Sequence, residues 1–439
     1  MNGAVPPEAP PARLLVLGAG GRGAHAYARW CLEHPAAARV VAVAEPDAVR
    51  RDRLGDAHAI PPERRFTDWR QALAVQGPWD GVIVATPDRD HVDPTIRALD
   101  LGHHVLLEKP IAPTPQELRR LMAAEKQSPG TVTVAHVLRY TPFFGTLRRL
   151  LDEGHIGQLQ GIAHIEHIAY WHFAHSYVRG NWHRADRSNP MLLAKACHDI
   201  DILRWLVGQP CVAVSSFGER RHFRAENAPK GSTERCMDGC AVAATCPYNA
   251  ERFYVEQMVA VDWPPVRAVI NDISLAGRRQ ALRLTDYGRC VYRMDNDVVD
   301  HQTSTLRFAN GVTASLVVSA FTARNTRTLT LMGSHGQITA DMHSGHIELT
   351  PFLEAPPRIG GRLPARVSKA GVDEDAGEAF SGHGGGDAGL MDDFTDRVRR
   401  WAGGERVGPA PSSLEESVES HFVAFAAERS RVNRTVEEL

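Results

Sequence analysis

The 439-residue sequence has little of several features that mark particular protein classes. Seven cysteines are too few for a disulfide framework in a chain of this length, which predicts a reduced, cytoplasmic protein. No apolar run reaches the ~18 residues of a membrane helix, and the N-terminus lacks a signal-peptide pattern. The formal net charge is -2 and no block of lysine or arginine occurs. Neither nucleic acid nor a membrane is therefore expected as a partner.

The chain is too long for one ordinary core, so two or three domains are expected. Residues 1–12 are predicted to form a short disordered tail, and a glycine-rich turn follows the first apolar strand. Gly18, Gly20 and Gly23 in this turn fit the pattern G-x-G-x-x-G. The first glycine permits a tight turn, the second lets the backbone approach a pyrophosphate, and the third lets the next helix pack closely. That helix, extending to about Glu33, would present its N-terminal amides to phosphates.

A second apolar strand, Arg39–Ala44, ends at Glu45, which lies 22 residues after Gly23. A carboxylate at this distance would accept hydrogen bonds from the ribose hydroxyls of NAD. It would repel the extra phosphate of NADP, although Arg50 and Arg51 keep that choice open. NAD is therefore the expected cofactor, with NADP less favoured.

Two more apolar strands, Asp80–Ala85 and His103–Leu107, enclose a predicted helix at about Asp90–Leu101. Strands that alternate with helices indicate an α/β fold with a parallel, doubly wound sheet. The glycine-rich turn thus has a strand before it, a helix after it and an acid at the right distance. This context favours a dinucleotide site over a loop without a ligand.

The fourth strand leads directly into Glu108-Lys109-Pro110. Together with Gly18-Ala-Gly-Gly-Arg-Gly23, Ala85-Thr86-Pro87 and His91, this segment resembles the glucose–fructose oxidoreductase / inositol dehydrogenase / MocA (Gfo/Idh/MocA) family. The resemblance extends over most of the chain, and the combination of motifs is specific although each motif alone is not.

The resemblance implies a fold and an activity. It implies a Rossmann NAD-binding domain at 13–136 and an α+β domain with a large open, mostly antiparallel sheet at 137–439. The implied activity is NAD(P)-dependent oxidation or reduction of a sugar, cyclitol or related polyol bound between the domains. The implied assembly is a homo-oligomer, a dimer or tetramer, formed through the C-terminal sheet.

The motifs and the resemblance together predict a cofactor site at strand ends, where ligands of doubly wound folds bind. Lys109 would approach both nicotinamide and substrate, and a lysine there can stabilise the alkoxide that develops during hydride loss. The alternative for Lys109 is a surface ammonium paired with Glu108. The predicted cofactor-site residues are Gly18, Gly20, Gly21, Arg22, Gly23, Glu45, Thr86, Pro87, His91, Glu108 and Lys109.

The stretch from Tyr170 to Asp201 is dense in aromatic and polar side chains. Rings that cover the apolar face of a sugar, with polar groups for its hydroxyls, suit a carbohydrate ligand. A polar loop over the sheet is the alternative. The predicted substrate-binding residues are His172, Tyr177, Arg179, Trp182 and His198.

A helix that opens at Lys195 would place His198 on the same face as this lysine. The resemblance implies a catalytic histidine at His198, with an aspartate four residues earlier, but that position is Ala194. We therefore expect His198 to act as a general base without that carboxylate, and Lys195 to assist by holding an oxyanion. A histidine satisfied within the core is the alternative.

Three further stretches, all in the second half of the sequence, allow predictions of local structure or of a site. An Asn310-Gly311 turn between alternating segments indicates a β-hairpin. The stretch His383-Gly-Gly-Gly-Asp387 is either a loop that brings one of its polar ends to the substrate or a flexible loop only. Cys236, Cys240 and Cys246 could supply three metal ligands, with a fourth from His222, Cys290 or elsewhere, or they are thiols in a loop. The sequence alone assigns no metal.

The predicted function is hydride transfer between NAD and a hydroxyl or keto group of a sugar, cyclitol or related polyol. One alternative is a redox-neutral glycosidase or lyase that acts through a transient keto-sugar. A second is a non-catalytic regulator that binds dinucleotide or sugar.

Overall fold

The computed structural model describes residues 10–262, 265–354 and 383–439. Residues 1–9 of the expected tail lie outside the described residues. The chain divides into two compact units, Met1–Val137 with Gly386–Val418, and Leu138–Gly385 with Glu419–Leu439. The first unit thus takes in a C-terminal segment beyond the 13–136 range expected from the sequence.

The regular elements are numbered in chain order. The strands are β1 Ala12–Leu17, β2 Ala38–Ala44, β3 Arg65–Phe66, β4 Gly81–Val84, β5 His104–Leu107, β6 Val132–Val134, β7 Leu159–Ala169, β8 Cys211–Glu219, β9 His301–Phe308, β10 Thr313–Thr322, β11 Thr326–Gly333, β12 Gly336–Asp341, β13 His346–Pro351 and β14 Glu437–Glu438. The α-helices are α1 Arg29–Glu33, α2 Ala48–Ala57, α3 Trp69–Ala72, α4 Val92–Asp100, α5 Pro115–Glu125, α6 Pro142–Asp152, α7 Tyr170–Phe173, α8 Met191–Ala194, α9 Cys197–Val207, α10 Val266–Val269, α11 Leu275–Leu284, α12 Gly386–Ala402 and α13 Leu414–Asn433. Within the described ranges, no helix combines the length and apolar character needed to cross a bilayer.

The first unit contains a six-stranded sheet in the order β3-β2-β1-β4-β5-β6, and its pairings are all parallel. Strands β4 and β5 are buried along their whole length, as expected where helices cover both faces of a parallel sheet. This confirms the doubly wound sheet. The very short strands β3 and β6 were not predicted, because two or three residues carry no periodic signal.

Local capping fixes where the helices of this unit begin. The Asp47 carboxylate accepts a hydrogen bond from the Arg50 amide at the start of α2. Thr114 Oγ1 accepts one from the Glu117 amide, and Pro115 occupies the first position of α5. The chain runs from Glu45 to Asp47 between β2 and α2, and from Glu108 to Thr114 between β5 and α5.

The second unit contains an eight-stranded sheet in the order β13-β12-β11-β7-β10-β9-β8-β14. Its pairings are antiparallel except that of β7 with β10, which confirms the mostly antiparallel sheet. The β9–β10 hairpin turns through Asn310 and Gly311, and Gly311 has a φ of 86° that favours glycine. One face of the sheet joins a large apolar core with α6 and α9.

Candidate active site

In the glycine-rich turn of the first unit, two glycines are packed against backbone atoms and the third has free space beside it. A Cβ at Gly18 would collide with the Ala85 carbonyl, and one at Gly23 would collide with the Gly18 carbonyl. A Cβ at Gly20 would meet no atom within 4 Å. The backbone itself therefore requires glycine at the two outer positions, whereas Gly20 faces open space of the kind a pyrophosphate needs.

The helix after the turn differs from the prediction. Residues Gly23–Ala28 form a π-helix, and α1 continues from Arg29. The predicted single α-helix to Glu33 is therefore wrong in its first part. Such π segments are rare and are frequent at functional sites.

Glu45 follows β2, as predicted, and its carboxylate is fixed against the glycine-rich turn. One oxygen accepts a hydrogen bond from the Ala19 amide at 2.7 Å and the other from the Asp47 amide at 3.0 Å. The Arg51 guanidinium donates to the Glu45 carbonyl at 2.8 Å. The side chain is buried, and these hydrogen bonds hold its oxygens beside the turn. Its contact with ribose stays a prediction.

His91 holds two strand-end turns together. One ring nitrogen lies 2.9 Å from the Thr86 carbonyl oxygen after β4, and the other lies 2.7 Å from the Pro110 carbonyl oxygen after β5. The ring is buried, and both nitrogens face backbone oxygens. His91 can therefore position the predicted cofactor site, while Thr86, Pro87 and Pro110 lie at its edge.

A buried charge cluster stands directly after β5. One oxygen of Glu108 accepts hydrogen bonds from Arg22 Nε and the Tyr27 hydroxyl, both at 2.5 Å, and the other accepts from the Lys109 amide at 3.0 Å. Arg22 also makes a bidentate pair with Asp387 on α12. Burial alone would raise the pKa of Glu108, but the charges of Arg22 and Lys109 outweigh it and lower that pKa.

This cluster gives Arg22 charge partners that the sequence did not predict. Arg22 was predicted to line the cofactor site, and its guanidinium is held by two carboxylates. The sequence did not identify Tyr27 or Asp387 as members of the cluster. Lys109, the other charged residue of the Glu108-Lys109-Pro110 motif, is half-buried and lies shortly after the end of β5.

In the second unit, His198 is the second residue of α9 and is buried. Its ring lies 5.6 Å, centroid to centroid, from that of His383. The sequence had left open whether His383 approaches the substrate pocket or belongs to a flexible loop.

Lys195 does not open the helix that carries His198. It lies in the break between α8 and α9, so the predicted common helical face is wrong. Its Nζ lies 3.1 Å from Glu166 Oε1 on β7, and the other oxygen of Glu166 lies 3.0 Å from Arg327 Nε on β11. A carboxylate that the sequence did not identify thus holds the candidate lysine.

The same network continues into α9 through Asp199, next to the candidate base. Asp199 Oδ1 lies 2.8 Å from Arg327 Nε and 2.7 Å from His164 Nε2. Burial alone would raise the pKa of Asp199, but Arg327 and His164 hold it well below its usual range. Glu166, Arg327, Asp199 and His164 thus form one buried network, which contacts Lys195 through Glu166.

The predicted sugar-binding residues are placed in different environments. Arg179 is buried and donates to the carbonyls of Arg289 and Tyr248, both at 2.8 Å. The Tyr177 ring is buried against Phe173. Trp182 is half-buried, and His172 Nδ1 lies 3.0 Å from Asn325 Oδ1. Arg179 and Tyr177 are therefore buried and held by other parts of the protein, which leaves His172 and Trp182 as the more accessible candidates.

Two family models match the chain. The GFO_IDH_MocA model, described as an oxidoreductase family with an NAD-binding Rossmann fold, matches residues 12–136. The companion model for the C-terminal alpha/beta domain matches residues 148–351.

Similar proteins are found among both sequences and solved structures. YteT of Bacillus subtilis, named as an oxidoreductase, is 27% identical over 77% of this chain and 78% of its own length. Inositol 2-dehydrogenase 2 of Paenarthrobacter aurescens is 28% identical over 63% of this chain and 82% of its own. A levoglucosan dehydrogenase solved with NADH and L-sorbose has a TM-score of 0.67 at 18% identity, covering 98% of this chain and 99% of that one. An Agrobacterium radiobacter oxidoreductase solved with NAD+, L-tartaric acid and magnesium has a TM-score of 0.67 at 16% identity, covering 97% and 98%. At these identities the structural likeness establishes the fold.

Proposed function

The chain belongs to the Gfo/Idh/MocA family of NAD-dependent oxidoreductases, and we propose that it transfers hydride between NAD and a hydroxyl or keto group of a sugar, cyclitol or related polyol. The observation that supports this most directly is the placement of Lys109 at the carboxyl end of β5, beside the glycine-rich turn that Arg22 joins to Glu108. The names of two similar proteins, an inositol 2-dehydrogenase and a levoglucosan dehydrogenase, support a polyhydroxylated substrate.

The first unit fits a dinucleotide because of the open space at Gly20 and the carboxylate of Glu45 beside it. When bound, NAD supplies the group that accepts or returns hydride. The residues proposed to hold it are those of the glycine-rich turn, Glu45, and the turns after β4 and β5.

The contrast between two glycines gives a test of this cofactor site. Gly20→Ala is expected to leave the unfolding temperature of the free protein unchanged, because the added methyl group meets no protein atom. It is expected to weaken NAD binding by about tenfold or more, since the methyl group would occupy the space of the pyrophosphate. Calorimetric titration with NAD measures the effect.

Gly145→Ala is the matched control, because a Cβ at Gly145 in α6 also meets nothing within 4 Å. It should leave NAD affinity unchanged. Equal NAD affinity of Gly20→Ala and the wild-type protein would place the pyrophosphate elsewhere.

In the proposed reaction, His198 accepts the proton of the substrate hydroxyl as general base, which contributes about 100- to 10,000-fold. Lys109 supplies an ammonium to the oxyanion that forms on the same oxygen. Lys195, held by Glu166, is the second proposed ammonium. His172 and Trp182 are proposed to contact the hydroxylated ring.

Turnover assays test this function. NADH formation is measured with myo-inositol, levoglucosan and a panel of aldoses, and we expect turnover with at least one polyol. His198→Asn should lower kcat by about 100-fold or more with unchanged NAD affinity. His155→Asn, an exposed histidine in the same unit, should have no effect.

Three outcomes would contradict the proposal in different ways. Full turnover by His198→Asn would remove His198 from its role. Consumption of a glycoside without net NADH would indicate the redox-neutral alternative. NAD binding without turnover across the panel would favour a regulator.

A further inference from the structure

Four cysteines from two segments of the second unit line one small cavity. Cys236, Cys240, Cys246 and Cys290 are free thiols, and the cavity among them measures about 10 Å³. This is room for roughly one water-sized sphere. The sequence left the fourth group open among His222, Cys290 and others, and the structure places Cys290 at the same cavity as the first three thiols.

Backbone pairing brings the distant cysteine to the other three. Arg235 and Arg289 form an isolated antiparallel bridge. The Cys236 amide donates to the Gly288 carbonyl at 3.0 Å, and the Cys290 amide donates to the Glu234 carbonyl at 2.9 Å. The main chain therefore fixes Cys290 beside Cys236 across more than fifty residues of sequence.

Two arginines hold the surrounding loops through carbonyl groups. Arg179 joins the Arg289 and Tyr248 carbonyls, and its Nη2 also lies 3.6 Å from Cys236 Sγ. Arg252 donates to the Cys246 carbonyl at 3.1 Å. An N–H group directed at a sulfur is the kind of outer contact that stabilises a metal-bound thiolate.

The loop that carries three of the cysteines has little regular secondary structure. From Arg220 to Asn249, a segment described throughout, the chain forms one 3₁₀ turn, Ala225–Asn227, and one isolated bridge. A long irregular segment in a compact unit calls for a specific restraint. Clustered cysteines in a chain without a disulfide framework are more consistent with a metal than with cross-links between thiols.

We infer that Cys236, Cys240, Cys246 and Cys290 bind one Zn²⁺ ion tetrahedrally and that the ion is a structural cross-link of the second unit. Four thiolates fill the coordination sphere, so the ion has no open position for substrate. The cavity size favours a single ion over an iron–sulfur cluster. Each thiol releases its proton to solvent when its sulfur binds the ion, and no oxidant is required.

Binding requires the four side chains to turn toward one point. No three of these sulfurs, all of them described, lie within 4.8 Å of one another. Sulfurs about 2.3 Å from one Zn²⁺ are ~3.8 Å apart in a tetrahedron. Rotation about χ1 moves a cysteine sulfur by ~3 Å, and the inferred site forms by such rotations.

Metal analysis of the full, untagged chain purified without chelator tests the inference. We expect about one zinc per chain by mass spectrometry. Cys246→Ser and Cys290→Ser should each retain less than roughly a fifth of that zinc. Cys211→Ser, which changes a buried cysteine of β8, should retain it fully.

A second measurement keeps the inference testable if the serine variants do not fold. After chelation of the wild-type protein, added Co²⁺ should give the intense visible bands of tetrahedral cobalt–thiolate coordination at about one equivalent. Zinc should then protect these four thiols from alkylation. Absence of zinc and of the cobalt bands, iron with labile sulfide, or equal zinc in Cys246→Ser and Cys211→Ser would overturn the site.

Discussion

Replacing Lys109 by methionine is expected to lower kcat by roughly 100- to 1,000-fold while NAD still binds. Lys109 lies shortly after β5. Its backbone amide donates a hydrogen bond to the Glu108 carboxylate at 3.0 Å. Ligands of doubly wound sheets bind beyond such strand ends. Methionine keeps the length and apolar stem of lysine but removes the ammonium, so the effect on kcat measures charge stabilisation of the alkoxide rather than packing.

The control for this variant is Lys126→Met, which changes an exposed lysine at the end of α5 in the same unit. Steady-state kinetics with the polyol found in the turnover panel, calorimetric titration with NAD and thermal unfolding separate three effects. Loss of NAD affinity together with activity would place Lys109 in cofactor binding. Turnover at half the wild-type rate or better would exclude it from the chemical step.

The parts of the first unit that the sequence predicted are those whose signals are local. The strands β1, β2, β4 and β5 are apolar runs of four to seven residues, and the glycine-rich turn lies directly after the first of them. The π-helix after Gly23 was not predictable, because side-chain spacing over six residues does not separate it from an α-helix.

The charge partners of the candidate site were missed because they are distant in sequence. Arg22 pairs with Asp387, which is 365 residues away, and Asp199 pairs with Arg327, 128 residues away. A sequence pattern contains no information on such pairings. The carboxylate partners of Arg22 and the guanidinium partner of Asp199 therefore became visible only in the folded structure.

The alternation of residues along β7 is a sequence signal for a buried network of charges. His164 and Glu166 lie on the buried face of β7, between the apolar residues Ile162 and Ile168. Charged side chains at inward positions of a strand must be paired, so they predict a buried network. That network holds Lys195 through Glu166 and includes Asp199, the residue next to His198.

Asp201→Ala is expected to destabilise the second unit by about 3–5 kcal/mol, because it leaves a buried guanidinium without its main counter-charge. Arg139 binds both oxygens of Asp201, at 2.8 and 2.7 Å. Each side chain is only 1% exposed. Asp201 lies on α9, one turn after His198, so the pair anchors the helix that carries the candidate base.

The matched control is Asp152→Ala, which breaks a pair of an exposed carboxylate with the half-buried Arg148. That variant should lose less than ~1 kcal/mol, since exposed ion pairs contribute little. Urea unfolding of both variants gives the comparison. The double variant Arg139→Met/Asp201→Leu should recover much of the loss, because it removes both buried charges and replaces them with apolar groups. If Asp201→Ala lost no more than Asp152→Ala, the guanidinium of Arg139 would have to be satisfied by its other neighbours, and the pair would not be what holds α9 in place.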